Sequence, residues 1–208
     1  MRKVGIRVIV YFSLYDWFHP LYLYDVKNEY KTSKYVDTVM IPQLLELVNI
    51  YKPDGIWADG DWGASSDYWK SKQFIAWLFN ESPIKDYVVV NDRWGTDSDC
   101  KHGSFRNCHD RYKPDKKPDY KWENAFTIDK KAWGYRREAT IDDLLTLKEI
   151  IINIVETVAL GGNAAINAGT SREGTIPLIY TERLIKLGKW LNINGQAIYK
   201  TVPFNVSC

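Results

Sequence analysis

The chain has 208 residues, the length of one ordinary domain, and 45% of them are hydrophobic while 26% are charged. This composition supports a buried core and excludes a chain that is disordered by composition. A formal net charge of +2 gives no electrostatic footprint for nucleic acid or an anionic membrane, so neither is predicted as a partner. No apolar run approaches the roughly 18 residues that a membrane helix needs. The first residues lack an apolar h-region, so no secretory signal is predicted there.

The predicted elements of the first half alternate between strand and helix patterns. The β-branched and aromatic residues of a buried strand and the apolar spacing of an amphipathic helix distinguish the two. In chain order we predict a strand over 5–13, a long Tyr-rich loop to about Thr38, a helix from Pro42 to Tyr51, a strand over 55–59, a helix over 67–79 and a strand over 87–91.

The second half begins with an irregular stretch, residues 92–122, that reads as too polar to pack. A loop of this length in a compact domain is usually functional or disordered. The elements predicted after it are a strand over 124–128, a helix that starts at a capping box at Thr140 and runs to Leu160, a strand over 164–167 and a helix over 178–191.

Strands that alternate with helices of 10–15 residues predict βαβ units, a parallel sheet and an α/β fold. In such folds the chemistry lies at the carboxyl ends of the strands. These ends are therefore where candidate functional residues are sought.

An acid lies close to a Trp after each of the first three predicted strands. The clusters are Tyr15-Asp16-Trp17, Asp59-Gly60-Asp61-Trp62 and Asn91-Asp92-Arg93-Trp94. Carboxylates beside aromatic rings suit a sugar, whose C–H faces lie on an indole and whose hydroxyls donate to carboxylates. The alternative for each cluster is a helix-capping Asp and a core Trp, but nine Trp exceed what a core of this size needs.

The cysteines do not form a disulfide framework. Cys100 and Cys108 are eight residues apart in a polar loop, and a local disulfide between them is favoured over free thiols. A zinc site that uses Cys100, His102, Cys108 and His109 is the third alternative, and its spacing does not match a standard knuckle. We predict no metal and no cofactor.

Taken together, these segments resemble the α-L-fucosidases of glycoside hydrolase family 29, above all their animal lysosomal and secreted branch. The resemblance covers about residues 5–204 and includes two motifs at strand ends, Trp57-Ala58-Asp59-Gly60 and Asn91-Asp92-Arg93-Trp94-Gly95. The matching segments are 11–22, 51–62, 88–95, 121–123, 128–130, 133–137, 160–163 and 188–199.

The resemblance implies a retaining exo-glycosidase that hydrolyses terminal α-L-fucose from glycoproteins and glycolipids by double displacement. It implies that Asp59 is the nucleophile and that Trp57 and Tyr11 line the fucose pocket. Arg93 matches an arginine near the nucleophile, where its charge would keep Asp59 ionised.

The general acid/base is less sharply fixed by the resemblance, since its position varies across the family. Asp110 is favoured, and Glu123, beside Trp122, is the alternative. This chain departs from the family signature at Lys117 and Ala125, neither of which removes a carboxylate.

The family fold is a (β/α)8-like TIM barrel followed by a β-sandwich, and the resemblance covers the barrel from about strand 4 to helix 8. We therefore expect residues 1–195 to be the second half of the barrel, 196–208 to start the linker, and the chain to be a fragment. Since half of the pocket would be missing, activity of these 208 residues alone is in doubt, and an inactive or vestigial carbohydrate-binding protein is the alternative function. The resemblance also implies fucosylated glycans as partners and a lysosomal or secreted location, and it leaves a homo-oligomer open.

Overall fold

A computed structural model describes residues 2–204 of the chain. The chain divides into two compact units, Met1–Cys108 and His109–Cys208, and each is described by itself. Within residues 2–204, no helix is both long enough and apolar enough to cross a membrane. The domain 1–195 and the linker 196–208 stay predictions, and the third cysteine, Cys208, lies outside the described residues.

The first unit alternates strands with helices. Its helical segment before the second strand is interrupted by π-helical turns, Val36–Met40 and Leu47–Tyr51. In chain order the elements are β1 (Ile9–Ser13), α1 (Pro20–Lys27), α2 (Ile41–Glu46), β2 (Gly55–Asp59), α3 (Ser71–Asn80) and β3 (Val89–Val90).

The three strands form one parallel sheet in the order β1-β2-β3, which confirms the predicted α/β class with parallel pairing. Ser13 lies opposite Asp59, so β1 and β2 end at the same edge. Gly55 permits close pairing, because a Cβ there would lie 2.9 Å from the carbonyl oxygen of Val89. The core beneath is formed by Leu14, Val36, Met40, Leu44, Val48, Ile56, Trp69, Leu78, Ile84 and Val90.

The second unit contains one βαβ unit and a terminal helix. Its elements are β4 (Glu123–Thr127), α4 (Leu147–Ala159), β5 (Asn163–Asn167) and α5 (Leu178–Asn194), with 3-10 turns at Ile141–Asp143 and Gly195–Ala197. Strands β4 and β5 are parallel. The core here is formed by Phe126, Ile128, Leu144, Ile150, Ile154, Tyr180 and Leu187.

The Tyr-rich loop predicted to reach Thr38 is wrong in part, because it contains α1 and the first π-helical turn. Helix α1 begins with the His19 ring accepting a hydrogen bond from the backbone N–H of Leu21 and with Pro20 in its first turn. Pro is well suited to that position, since its fixed φ is helical and its missing N–H is not needed there. The eight residues of α1 are too few to show an apolar period.

Several predicted boundaries are also wrong. The strand predicted over 5–13 begins at Ile9, and the helix predicted over 67–79 begins at Ser71. The strand predicted over 87–91 is only Val89–Val90, because the side chain of Asn91 replaces the backbone ladder beyond it. The capping box at Thr140 starts the short 3-10 turn, and a second box, Thr146 with Glu149, starts α4. The local sequence does not show which of two capping boxes six residues apart starts the longer helix.

The expectation that residues 92–122 are too polar to pack is wrong. Trp94, Phe105 and Asn107 are buried, and so is Asp92. The Asp92 carboxylate accepts backbone hydrogen bonds from Cys100, Asn107 and Cys108 at 2.9–3.0 Å. A buried carboxylate with several backbone donors can thus hold an irregular polar segment together.

Candidate functional site

Asp59 is the last residue of β2, and its carboxylate lies between a phenol and a guanidinium. Tyr11 Oη donates to Asp59 Oδ2 at 2.7 Å, and Arg93 Nη1 lies 3.0 Å from Oδ1. Because β1 and β2 pair with Tyr11 opposite Trp57, the parallel register itself brings the phenol to the carboxylate. The structure therefore brings Asp59, Arg93 and Tyr11 together, and the roles that the resemblance implies for them stay predictions.

Trp57 completes this group from the same face of β2, two residues before Asp59. The Arg93 guanidinium lies over its ring at 4.7 Å, a cation–π distance. The Tyr11 ring stacks near it, with ring centroids 5.8 Å apart and planes at 22°. Arg93 is thus fixed both by an ion pair and by an aromatic face, which suits its planar group better than a lysine ammonium.

The electrostatics keep the phenol protonated. Partial desolvation, the hydrogen bond to Asp59 and the charge of that carboxylate raise the pKa of Tyr11 well above its usual range. Tyr11 therefore remains a hydrogen-bond donor across the physiological pH range, and it cannot serve as a base there. The ion pair with Arg93 is largely enclosed, with 9% of the Arg93 side chain and 17% of the Asp59 side chain exposed.

Asn91 positions this strand end, and sequence reasoning did not assign it that role. Its side-chain amide donates to the carbonyl oxygen of Ala58 at 2.8 Å and accepts from the Ala58 N–H at 2.9 Å. Both residues are fully buried. Asn91 thus pairs with β2 directly beside Asp59, where β3 has already ended. An amide before the Asp-Arg pair was the available signal, but only the register reveals its partner.

The third acid–Trp cluster does not form a sugar platform. Trp94 is buried, with its ring against Phe74 at 5.7 Å and its indole N–H donating to the carbonyl oxygen of Asn91. Asp92 is occupied by backbone donors. The alternative of a core Trp and a structural Asp therefore holds for this cluster, while Trp17 and Trp62 of the other two remain exposed.

Cys100 and Cys108 form a disulfide, with an S–S distance of 1.95 Å. This bond removes both thiolates from the zinc alternative, which needed them as ligands. The disulfide closes the loop whose backbone N–H groups bind Asp92, so the covalent link and the buried carboxylate organise the same segment.

Asp110 and Glu123 belong to the second unit. Asp110 is exposed, two residues after Cys108, and the His109 ring lies 2.9 Å from the Asp110 carbonyl oxygen. Glu123 is buried and is the first residue of β4. It therefore lies at the amino end of a parallel strand, whereas parallel α/β folds place their chemistry at the carboxyl ends.

The arrangement around Asp59 suits a nucleophilic or charge-stabilising carboxylate. Each oxygen has one side-chain donor and keeps a further lone pair, and 17% of the Asp59 side chain is exposed. A rigid strand aims the carboxylate more precisely than a loop would.

The known proteins that this chain is similar to are α-L-fucosidases. The sequence profile of the family described as "Alpha-L-fucosidase" matches residues 1–196. The tissue α-L-fucosidase of Rattus norvegicus is 51% identical over 99% of this chain and 45% of its own length. The plasma α-L-fucosidase of Homo sapiens is 49% identical over 96% of this chain and 43% of its own length.

A solved structure shows the same relation. The crystal structure of Thermotoga maritima α-fucosidase in complex with fucose is 32% identical, with a TM-score of 0.78, over 100% of this chain and 46% of that one. The chain thus spans somewhat less than half the length of these proteins.

Proposed function

This chain belongs to the α-L-fucosidase family, and from that premise we propose that it supplies the nucleophile of a retaining exo-glycosidase that removes terminal α-L-fucose from glycoconjugates. The observation that carries the proposal is the Asp59 carboxylate at the end of β2, bound by Tyr11 on one oxygen and by Arg93 on the other. Fucosylated glycans are the proposed substrates, in keeping with the fucose complex of the Thermotoga maritima enzyme.

In the first displacement an Asp59 oxygen attacks the anomeric carbon as the bond to the leaving-group oxygen breaks, and an ester forms. Asp110 donates its proton to the leaving oxygen. In the second displacement Asp110 takes a proton from water, the water oxygen attacks the anomeric carbon, and Asp59 leaves as a carboxylate. Tyr11 and Arg93 orient the Asp59 carboxylate before the attack and bind it again as it leaves.

Asp110 is proposed as the acid/base ahead of Glu123. The position of Glu123 at the amino end of β4 supports this preference, because a proton donor must reach the carboxyl-end edge where nucleophiles lie in these folds. Asp110 is exposed and follows the disulfide loop.

We also propose that the chain forms the second half of a (β/α)8-like barrel, from about strand 4 to helix 8. The sequential order of β1, β2 and β3, all parallel, supports this. A lysosomal or secreted location is proposed as well. The tissue and plasma relatives and the Cys100–Cys108 disulfide, which persists in oxidising compartments, both support it.

The test is turnover of an aryl α-L-fucoside by the 208-residue chain and by a longer protein in which it is extended to the length of its relatives. Asp59→Ala should abolish turnover, and azide should restore part of it by attacking the open anomeric face. Asp67→Ala is the matched control, since Asp67 is an exposed carboxylate paired with Lys72 on the surface.

Activity confined to the longer protein supports a fragment of an active enzyme. If both proteins are inactive, the enzyme proposal fails and the vestigial carbohydrate-binding alternative takes its place. A fully active Asp59→Ala variant would refute the nucleophile assignment.

A further inference from the structure

Two indole rings beyond the ends of β1 and β2 are left open to solvent. Trp17 is 64% exposed and Trp62 is 57% exposed. Each stands edge-on to the ring of Tyr15, with centroid distances of 5.2 Å for Trp17 and 5.5 Å for Trp62. We call these three residues the Tyr15 cluster. Exposed indoles grouped in this way are characteristic of binding surfaces rather than of cores.

The Tyr15 cluster is fixed to the core of the first unit. The Tyr15 ring stacks on Tyr22, with centroids 5.6 Å apart and planes at 20°. The Ser13 hydroxyl, at the end of β1, donates to the Tyr15 carbonyl oxygen at 2.7 Å. Tyr15 therefore supports both indoles from a defined position.

The cluster is also continuous with the Asp59 site. Gly60, which follows Asp59 directly, has a φ of +75°, and a Cβ there would lie 2.7 Å from the Tyr15 ring. The aromatic ring thus packs on the backbone of the residue next to Asp59. Burial and the charge of Asp59 both raise the pKa of Tyr15, which agrees with this proximity.

The two groups of aromatic residues occupy different positions along the chain relative to the strand ends. Tyr11 and Trp57 lie within the strands, before Asp59, whereas Trp17 and Trp62 lie in the segments that follow the strand ends. A sugar bound at Asp59 has its glycosidic oxygen directed away from the attacking carboxylate. The next sugar therefore lies outside the strand ends, where the exposed indoles are.

We propose that Trp17 and Trp62 bind the sugar to which the fucose is attached, that is, the leaving group of the reaction. This inference rests on the proposed function. Each indole offers a flat apolar face for the C–H groups of a pyranose, and the exposed carboxylate of Asp16, next to Trp17 in the chain, can accept a sugar hydroxyl.

The test compares a fucosylated trisaccharide, 2′-fucosyllactose, with α-L-fucosyl fluoride, which has no sugar leaving group. In Trp62→Ala and Trp17→Ala, the ratio of kcat/KM for fucosyllactose to that for the fluoride should fall about tenfold, the scale of one well-placed aromatic contact. Trp62→Phe should recover part of the loss. Tyr51→Ala, an exposed aromatic residue before the amino end of β2, should leave the ratio as in the wild type. An unchanged ratio in both Trp variants overturns the proposal.

A second measurement separates this proposal from the proposed function. Lactose, the leaving group alone, is titrated by calorimetry into the longer protein that was extended to the length of its relatives, as wild type and as the Trp17→Ala/Trp62→Ala double variant. Binding that is lost in the double variant supports the platform even if no turnover is found. Lactose that binds both proteins equally, or neither, overturns it, while failure of the fluoride as a substrate counts against the proposed function alone.

Discussion

Each unit has an aspartate at or just beyond the end of a parallel strand, and each aspartate binds an arginine. The two pairs differ in how much of the carboxylate is accessible to solvent. Asp59 receives one side-chain donor on each oxygen, and 17% of its side chain is exposed. Asp129, two residues after β4, has 2% of its side chain exposed. The Arg136 fork binds both of its oxygens at 2.9 and 3.0 Å, and the backbone N–H groups of Lys131 and Ala132 donate to it as well.

The difference separates a reactive carboxylate from a structural one. Burial raises the pKa of Asp129, but its hydrogen bonds with Arg136 and the backbone outweigh that effect and lower it. Arg136 also binds Asp143 at 3.1 Å, so this pair belongs to a network that holds one loop. A carboxylate with so many donors is a poor nucleophile, whereas Asp59 combines firm orientation with access.

The two arginines allow the largest test of this contrast. Arg93→Met should lower kcat by about a thousandfold with a smaller change in Tm, because Asp59 loses its charged partner at the reacting group. Arg136→Met should lower Tm by several degrees, because the buried Asp129 carboxylate loses its counter-charge and keeps only neutral hydrogen-bond donors. Turnover and thermal unfolding are measured for both variants. Equal losses of Tm in the two variants would break the distinction between a reactive and a structural pair.

The buried asparagines of the two units provide a second test. Asn91→Ala leaves both the N–H and the carbonyl oxygen of Ala58 without a partner and should cost about 3 kcal/mol of unfolding free energy. Asn124→Ala removes one hydrogen bond, from the Asn124 amide to Thr157 Oγ1 at 3.0 Å, and should cost about 1 kcal/mol. Urea denaturation measures both, and an Asn91 cost no larger than that of Asn124 would show that the side-chain pairing of β2 is dispensable.

The smallest expected effect concerns pH. Burial, then the charge of Asp61 and a hydrogen bond with it, raise the pKa of Asp99 to about 7, in contrast to the lowered pKa of Asp129. Between about pH 4 and 7 the folded state therefore holds a proton that the unfolded state has lost, and stability falls as the pH rises through this window. Asp99→Asn should remove this pH-dependent loss of stability. The Tm of the variant should therefore rise relative to that of the wild type as the pH increases from 4 to 7.

Asp97→Asn is the control with the opposite sign. Hydrogen bonds from the backbone and hydroxyl of Ser66, both at 2.7 Å, lower the pKa of Asp97. The stability they provide is present above about pH 4 and is lost as the pH falls through the folded pKa. The Tm deficit of Asp97→Asn should therefore be greatest near neutral pH. Parallel Tm curves for the wild type and Asp99→Asn from pH 4 to 7 would contradict the raised pKa.

The sequence predicted what depends on local pattern. The strand of Trp57 and Asp59 could be recognised from its apolar residues, and its parallel pairing from the helix that follows. What it could not show depends on partners distant in the chain. Asn91 forms hydrogen bonds with the backbone of Ala58, 33 residues away, and the Asp92 carboxylate accepts hydrogen bonds from N–H groups as distant in the chain as that of Cys108. Neither role has a local signature, so the sequence predicts a sugar ligand at Asp92, whereas its carboxylate binds backbone N–H groups.

The tryptophans at the three strand ends differ in burial. The three strand-end clusters have the same sequence pattern. In the structure Trp94 is buried, whereas Trp17 and Trp62 are exposed. Gly60, which follows the end of β2, has a positive φ, and the Tyr15 ring packs where its Cβ would be. The sequence shows the glycine but not that Tyr15 packs against it.

Asn91, Asp92 and Arg93 are consecutive, and each has a different target: the backbone of Ala58, the disulfide loop and the carboxylate of Asp59. Inserting or deleting a single residue here would shift all three at once. A change in length here should consequently be more damaging than any single substitution, and insertions or deletions among functional relatives should fall outside the tripeptide.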